Sequence, residues 1–279
     1  MAESLELHEL SPPSPEGSDL AAPLLFAHPV SFHGRVWGPV ARQLSHPGRQ
    51  VALDLPGHGS VPLAEGQPVD WYSLSELVWS TVEAAGLIGS VGVGHSMGAA
   101  LLTMVEVHHR GTFGALWLYE PVIPSSPSLP PELQGAGSGP ARKRRVTFGS
   151  IDEAYVSYRG KVAMERVDDE ALRAYVEHGF DVAEDGTATL RCPPDVSGAL
   201  ASGWQDNRIY DRVGELDCPV HLVHGDRSGY QARWTQDLHA ALPGSTLEEY
   251  PDLLHLGPLE QPARIASSID AFLSHTFAT

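Results

Sequence analysis

The sequence predicts an α/β protein with a mostly parallel central sheet of about eight strands. Helices flank the sheet, and a helical cap is inserted at one point. Three observations carry that expectation. Short apolar runs alternate with amphipathic stretches along most of the chain, the pattern of strands buried between two helical layers. The rhythm then breaks, and residues 120–219 hold no further clean central strand; such an interruption in an open α/β sheet places extra structure over the ligand crevice. Finally, 90–98 reads SVGVGHSMG and runs straight into Ala99, Ala100, Leu101 and Leu102, which is a strand, a sharp turn and a helix.

Taken in order, residues 5–10 alternate apolar and polar side chains and suit an edge strand, and the Pro- and Ser-rich stretch at 11–19 suits a loop. Central strands are expected at 24–27, 51–53, 91–93, 115–119, 220–223 and 246–250, with helices near 35–45, 71–86, 96–110, 230–242 and 262–273. The interruption begins with Pro- and Gly-rich sequence at 121–140, continues with helical patterns around 150–160 and 168–179, and includes a polar turn at 183–186. The expected division is a core of 1–123 with 214–279 and a cap of 124–213. No internal repeat is visible.

Composition narrows the function classes. At 279 residues, 42% hydrophobic and 19% charged, the chain can bury a sizeable core. It has no apolar run approaching the ~18–20 residues of a membrane span, and its acidic start, MAESLELHEL, is unlike a secretory signal, so a cytoplasmic protein is expected. The net charge of −17 disfavours nucleic acid and anionic membranes as partners. A small-molecule substrate and a monomer or homodimer are expected instead. Cys192 and Cys218 form no spaced pattern, and His108 and His109 are adjacent, not one helical turn apart. Neither a disulfide, a metal nor another cofactor is expected. The compact basic run 142–145 is read as a solvated helix start, with contact to an anionic substrate as the lesser alternative.

The turn at Gly94-His95-Ser96-Met97-Gly98 carries the chemistry. A serine nucleophile at the apex of a strand-to-helix turn has a strained backbone, and residues two before and two after it must be nearly free of side chain. Gly94 and Gly98 meet that need. Acyl transfer also requires a base, a group to orient it, and amide donors for the oxyanion. His255, in the loop between the last strand and the final helix, is the candidate base.

Several motifs now stand in one order: Leu53-Asp54-Leu55-Pro56-Gly57-His58-Gly59-Ser60, the GHSMG turn, a strand ending in His224-Gly225-Asp226, and His255 followed by Glu260-Gln261-Pro262. Together they resemble the α/β-hydrolase fold family over nearly the whole chain. The resemblance implies an oxyanion hole from the amide of Met97 and one in the loop after the first central strand. That loop is His28-Pro29-Val30 where the family usually has His-Gly-X. Proline has no amide proton, so Val30 takes the donor position. Asp54 and His58 match positions that hold the turn beneath the site.

For the acid, the resemblance offers two places. Members commonly carry it as GxxD after the penultimate strand, where this chain has Gly225-Asp226-Arg227-Ser228, so Asp226 stands two residues early. A minority, including one type of haloalkane dehalogenase and some lactonases, carry it after the strand that follows the nucleophile helix. Glu120 closes that strand here, and a carboxylate ending an apolar run is costly unless paired. Glu120 is therefore the preferred acid and Asp226 the alternative. Phe32, His33 and Trp204 are placed as pocket residues. Tyr155, Tyr158 and Phe148 join Trp204 either in an aromatic wall or in ordinary cap core.

Serine at the apex excludes the carboxylate attack on an alkyl carbon used by dehalogenases and epoxide hydrolases. The expected function is a serine hydrolase of carboxylic-ester type cleaving a small, largely apolar ester, lactone or thioester through an acyl-enzyme. The alternatives are a non-catalytic, receptor-like binder of small molecules, or a cofactor-free C–C hydrolase, lyase or perhydrolase using the same residues.

Overall fold

A computed structural model of the chain describes residues 5–11, 21–64, 66–125, 143–206 and 209–278. Strands β1 (Glu6–Glu9), β2 (Leu24–Ala27), β3 (Gln50–Asp54), β4 (Ser90–His95) and β5 (Phe113–Tyr119) precede the interruption, and β9 (Val220–Gly225) and β10 (Thr246–Tyr250) follow it. They form one sheet in the order β1-β3-β2-β4-β5-β9-β10, parallel throughout except for the edge strand β1. Its seven strands are the seven runs legible in the sequence. An eighth is not present among the described residues.

Strand side chains alternate between faces, and two apolar cores result. Leu25, Leu53, Leu116 and Leu118 pack with α2 (Trp71–Ala84), α3 (Met97–His108) and α7 (Tyr230–Ala241). Leu24, Phe26, Val91, Val93 and Trp117 pack with α1 (Gly38–Ala41) and α9 (Pro262–Thr276). Trp117 Nε1 donates to Ser268 Oγ across 3.0 Å and ties the central strand to α9.

The register sets the site. Ala27 lies opposite Gly94, His95 opposite Tyr119, and Tyr119 opposite Val223. The chain segments leaving β2, β4, β5 and β9 therefore emerge at one edge, where β2 separates β3 from β4 and the direction of winding reverses. Open α/β sheets bind ligands at such a switch point.

Between β5 and β9 the chain adds β6 (Thr147–Phe148), α4 (Ile151–Arg159), α5 (Asp169–His178), β7 (Phe180–Val182), β8 (Ala188–Leu190) and α6 (Pro194–Leu200). The insert is thus not purely helical. Its strands form an antiparallel sheet ordered β6-β8-β7, with Phe148, Phe180, Ala188 and Leu190 turned inward. Two- and three-residue strands are too short to show periodicity; only the turn at Gly186, with φ 86°, marked the hairpin. The expected helix start at the basic run is also corrected, since Arg144 and Arg145 lead into β6 and α4 begins only after Ser150, its N-cap. Arg142, most of the 121–140 loop and most of the 11–19 loop lie outside the described residues. No helix among the described residues is long and apolar enough to cross a membrane.

Candidate active site

The turn after β4 is as tight as its sequence demands. A Cβ on Gly94 would lie 2.5 Å from Ala99 Cα, and one on Gly98 would lie 2.5 Å from the backbone of Ala27. Ser96 has φ 56° and ψ −117°. Among the described residues only Ser31, Ser96 and Glu120 combine a side chain with positive φ, and all three sit at this edge of the sheet. Strain of that kind persists only where surrounding structure enforces it.

His255 joins Ser96 to Glu120. Ser96 Oγ donates to His255 Nε2 at 3.0 Å, and His255 Nδ1 donates to Glu120 Oε2 at 2.5 Å. Glu120 is fully buried, and its other oxygen accepts from the Gly225 amide at 2.9 Å. The carboxylate thus has a partner on each oxygen, which offsets the cost of its burial. Asp226 does not take part. After Gly225 the chain enters a short 3-10 turn, leaving the Asp226 side chain 47% exposed and 3.5 Å from His224 Nδ1.

Two residues that sequence reasoning missed hold the base in place. His95 Nε2 donates to the His255 carbonyl at 2.7 Å, and Tyr119 Oη donates to the Leu254 carbonyl at 2.8 Å. Burial, then the adjacent His255, pushes His95 well below the ordinary histidine range, so it stays neutral. The signal was present, because both residues end central strands where an apolar residue would suffice.

On the other side, Met97 is the first residue of α3, and its amide has no acceptor within the helix. Val30 sits in a turn closed by the Phe32 amide donating to the Pro29 carbonyl at 3.2 Å. The Ser31 amide is committed to His58 Nε2 at 3.1 Å. His58 Nδ1 donates to the Pro56 carbonyl, and His28 donates from Nδ1 to Pro29 while its Nε2 accepts from Leu55. Asp54 braces the same loops, accepting from His8, from the Gly34 amide and from Ser60. Burial pushes its carboxyl up, but the His8 bond, the nearby His28 and those amides hold it well below the carboxylate range.

These histidines make the fold acid-sensitive. Burial, partly offset by Asp54, lowers His28 and His33 from 6.5 to about 4; burial and then His28 lower His58 to about 3. The unfolded chain takes up these protons below pH 6.5 while the folded chain does not, so stability present above that pH is lost on acidification. From pH 7.5 to 5.5 the three sites together remove about 3–4 kcal/mol, which corresponds to a fall of roughly 8–10 °C in midpoint for a domain of this size. Thermal melts across that window check it; a flat midpoint would refute the neutral-histidine assignment.

Of the remaining pocket residues, Trp204 joins the apolar group containing Val30, Met97, Ile123, Val196 and Leu200, with its ring 5.8 Å from that of Trp234. Phe32 and His33 are buried, with their rings beside Tyr175. Tyr158 and Phe148 form the insert's own core. Both cysteines are free. Among the described residues, His224, Asp226 and Glu249 bring possible metal-ligand atoms within 4.8 Å of one another, but none of the three belongs to the Ser96 centre.

The model of the family described as "Alpha/beta hydrolase family" matches residues 24–268. No curated protein matches the chain in sequence. Many solved structures share its fold. One is E-2-(acetamidomethylene)succinate hydrolase, at 18% identity over 91% of each chain with a TM-score of 0.77. The peroxisomal alpha-beta-hydrolase Lpx1 from Saccharomyces cerevisiae has 16% identity and a TM-score of 0.78, covering 99% of this chain and 89% of its own. A thermophilic esterase from Thermogutta terrifontis has 20% identity and a TM-score of 0.70, covering 98% and 93%. At these identities the likeness concerns the fold.

Proposed function

Since the chain belongs to the alpha/beta hydrolase family, we propose that it is a serine hydrolase cleaving a small ester, lactone or thioester beneath the insert. The observation that carries this reading is the continuous line from Ser96 Oγ through His255 to Glu120 Oε2. As Ser96 Oγ attacks the carbonyl carbon, His255 Nε2 takes its proton, and Glu120 steadies the imidazolium that forms. The carbonyl oxygen becomes an oxyanion held by the Met97 and Val30 amides. The tetrahedral species collapses, the bond to the leaving group breaks, and His255 returns the proton to that group. Water then attacks the acyl-enzyme by the same route, releasing the acid and restoring Ser96. The apolar side chains packed with Met97 and Val30 support an apolar substrate segment next to the scissile carbonyl.

The test combines two readouts. Wild-type protein is expected to hydrolyse p-nitrophenyl esters and to gain one fluorophosphonate adduct, located at Ser96 by peptide mass spectrometry. Saturable ligand binding with neither turnover nor labelling would make the protein a receptor instead.

A further inference from the structure

We infer that Arg144 forms a carboxylate-binding subsite beneath the insert, so that the substrate presented to Ser96 carries an acid group. The specificity it describes rests on the hydrolase reading above; the binding of an anion does not.

Among the described residues the guanidinium is held but not neutralised. Its Nη2 donates to Tyr158 Oη at 3.2 Å and to Tyr175 Oη, and both rings are buried. Its Nη1 is buried with no acceptor. No carboxylate pairs with it among the described residues, although the chain carries 35 acidic and only 18 basic side chains. The contrast with its neighbours is direct: Arg145 pairs with Glu153, Arg159 with Asp169, Arg166 with Glu260 and Arg191 with Asp181. An unpaired, partly desolvated guanidinium is costly, and a bound anion relieves that cost. Guanidinium is also the side chain whose fork matches a carboxylate.

The position links it to the site. Tyr175, which grips Arg144, packs its ring 4.9 Å from Phe32 and lies parallel to His33 at 6.1 Å, immediately after the Val30 turn. The Cys192 thiol lies between Arg144 and Ser197, and Ser197 Oγ is hydrogen-bonded to Ser31 Oγ, one residue from Val30. Arg144 also adds to the depression of His58, the acceptor for the Ser31 amide. Tyr175 thus connects the Arg144 guanidinium to the segment that follows Val30.

Matched ester pairs test this: monoethyl succinate against ethyl butanoate, monoethyl glutarate against ethyl pentanoate, and monoethyl adipate against ethyl hexanoate, followed by pH-stat. The readout is the ratio of kcat/KM within a pair, which cancels any general loss of activity. The wild-type ratio is expected to favour the acid-bearing ester for at least one length, and Arg144→Met to lower that ratio by about 10- to 100-fold, the range for losing a hydrogen bond to a charged group. Arg144→Lys, which keeps the charge without the fork, should fall between them and serves if the methionine variant fails to fold. In parallel, calorimetry measures succinate and glutarate binding to Ser96→Ala with and without Arg144→Met. Turnover of neutral esters with ratios indifferent to Arg144 overturns the subsite and leaves the hydrolase reading standing. Diacid binding that requires Arg144, with no ester cleaved, overturns the hydrolase reading and leaves the subsite. Neither binding nor turnover overturns both.

Discussion

Ser96→Ala is expected to lower ester turnover by about 10⁶-fold, the scale on which serine triads lose activity when the nucleophile is removed. The hydroxyl is the group placed to form the acyl-enzyme, and His255 Nε2 at 3.0 Å has no other proton to move. The backbone of the turn does not change, since alanine keeps the Cβ that opposes φ 56°. Stability should therefore stay within about 1 kcal/mol, the weight of one hydrogen bond. Initial rates on p-nitrophenyl esters and thermal melts of purified protein check both parts. Residual activity above about one per cent of wild type would assign the attack to another group.

Glu120→Gln is expected to cost about 10⁴-fold in kcat, as when an acid that fixes the tautomer of its histidine becomes an amide. The glutamine oxygen can still accept from the Gly225 amide, so the local fold holds. Its NH2 would then face His255 Nδ1, which must become an acceptor, and the proton moves to Nε2, where it faces Ser96 and blocks the base. Asp226→Asn, on an exposed side chain outside this line, should leave kcat within about twofold. The decisive comparison is the two variants side by side: full activity in Glu120→Gln with loss in Asp226→Asn would transfer the orienting role to Asp226.

The position of Glu120 was legible because a charged residue ending an apolar strand has few ways to be stable. The alternative at Asp226 stayed open in the sequence because two residues of offset after a strand decide between reaching the base and pointing to solvent, and only the turn geometry fixes that. Strands β2 to β5 were legible for a similar reason, being buried on both faces and so largely apolar. The sheet of the insert was not, since its strands are too short for alternation to register. Phe32 and His33 follow Val30 directly in the sequence. Their partner, Tyr175, comes from α5, more than a hundred residues later, and sequence order gives no view of such a contact. Arg144 hid inside a basic run whose charge suggested solvent, and its environment becomes visible only once Tyr158 and Tyr175 are folded around it.

The left-handed backbones of Ser31, Ser96 and Glu120 set a limit on how far this protein can be hardened against heat. Each such conformation costs about 1–3 kcal/mol with a side chain attached, and glycine would relieve it. Two of the three positions hold the nucleophile and the acid of the proposed relay. A screen that rewards survival at high temperature alone will therefore reward glycine at Ser96, while at Glu120 the buried Gly225 amide would lose its acceptor. It will collect robust proteins that no longer turn over substrate, whereas selection on catalysis must keep the molecule below the stability its fold would otherwise reach.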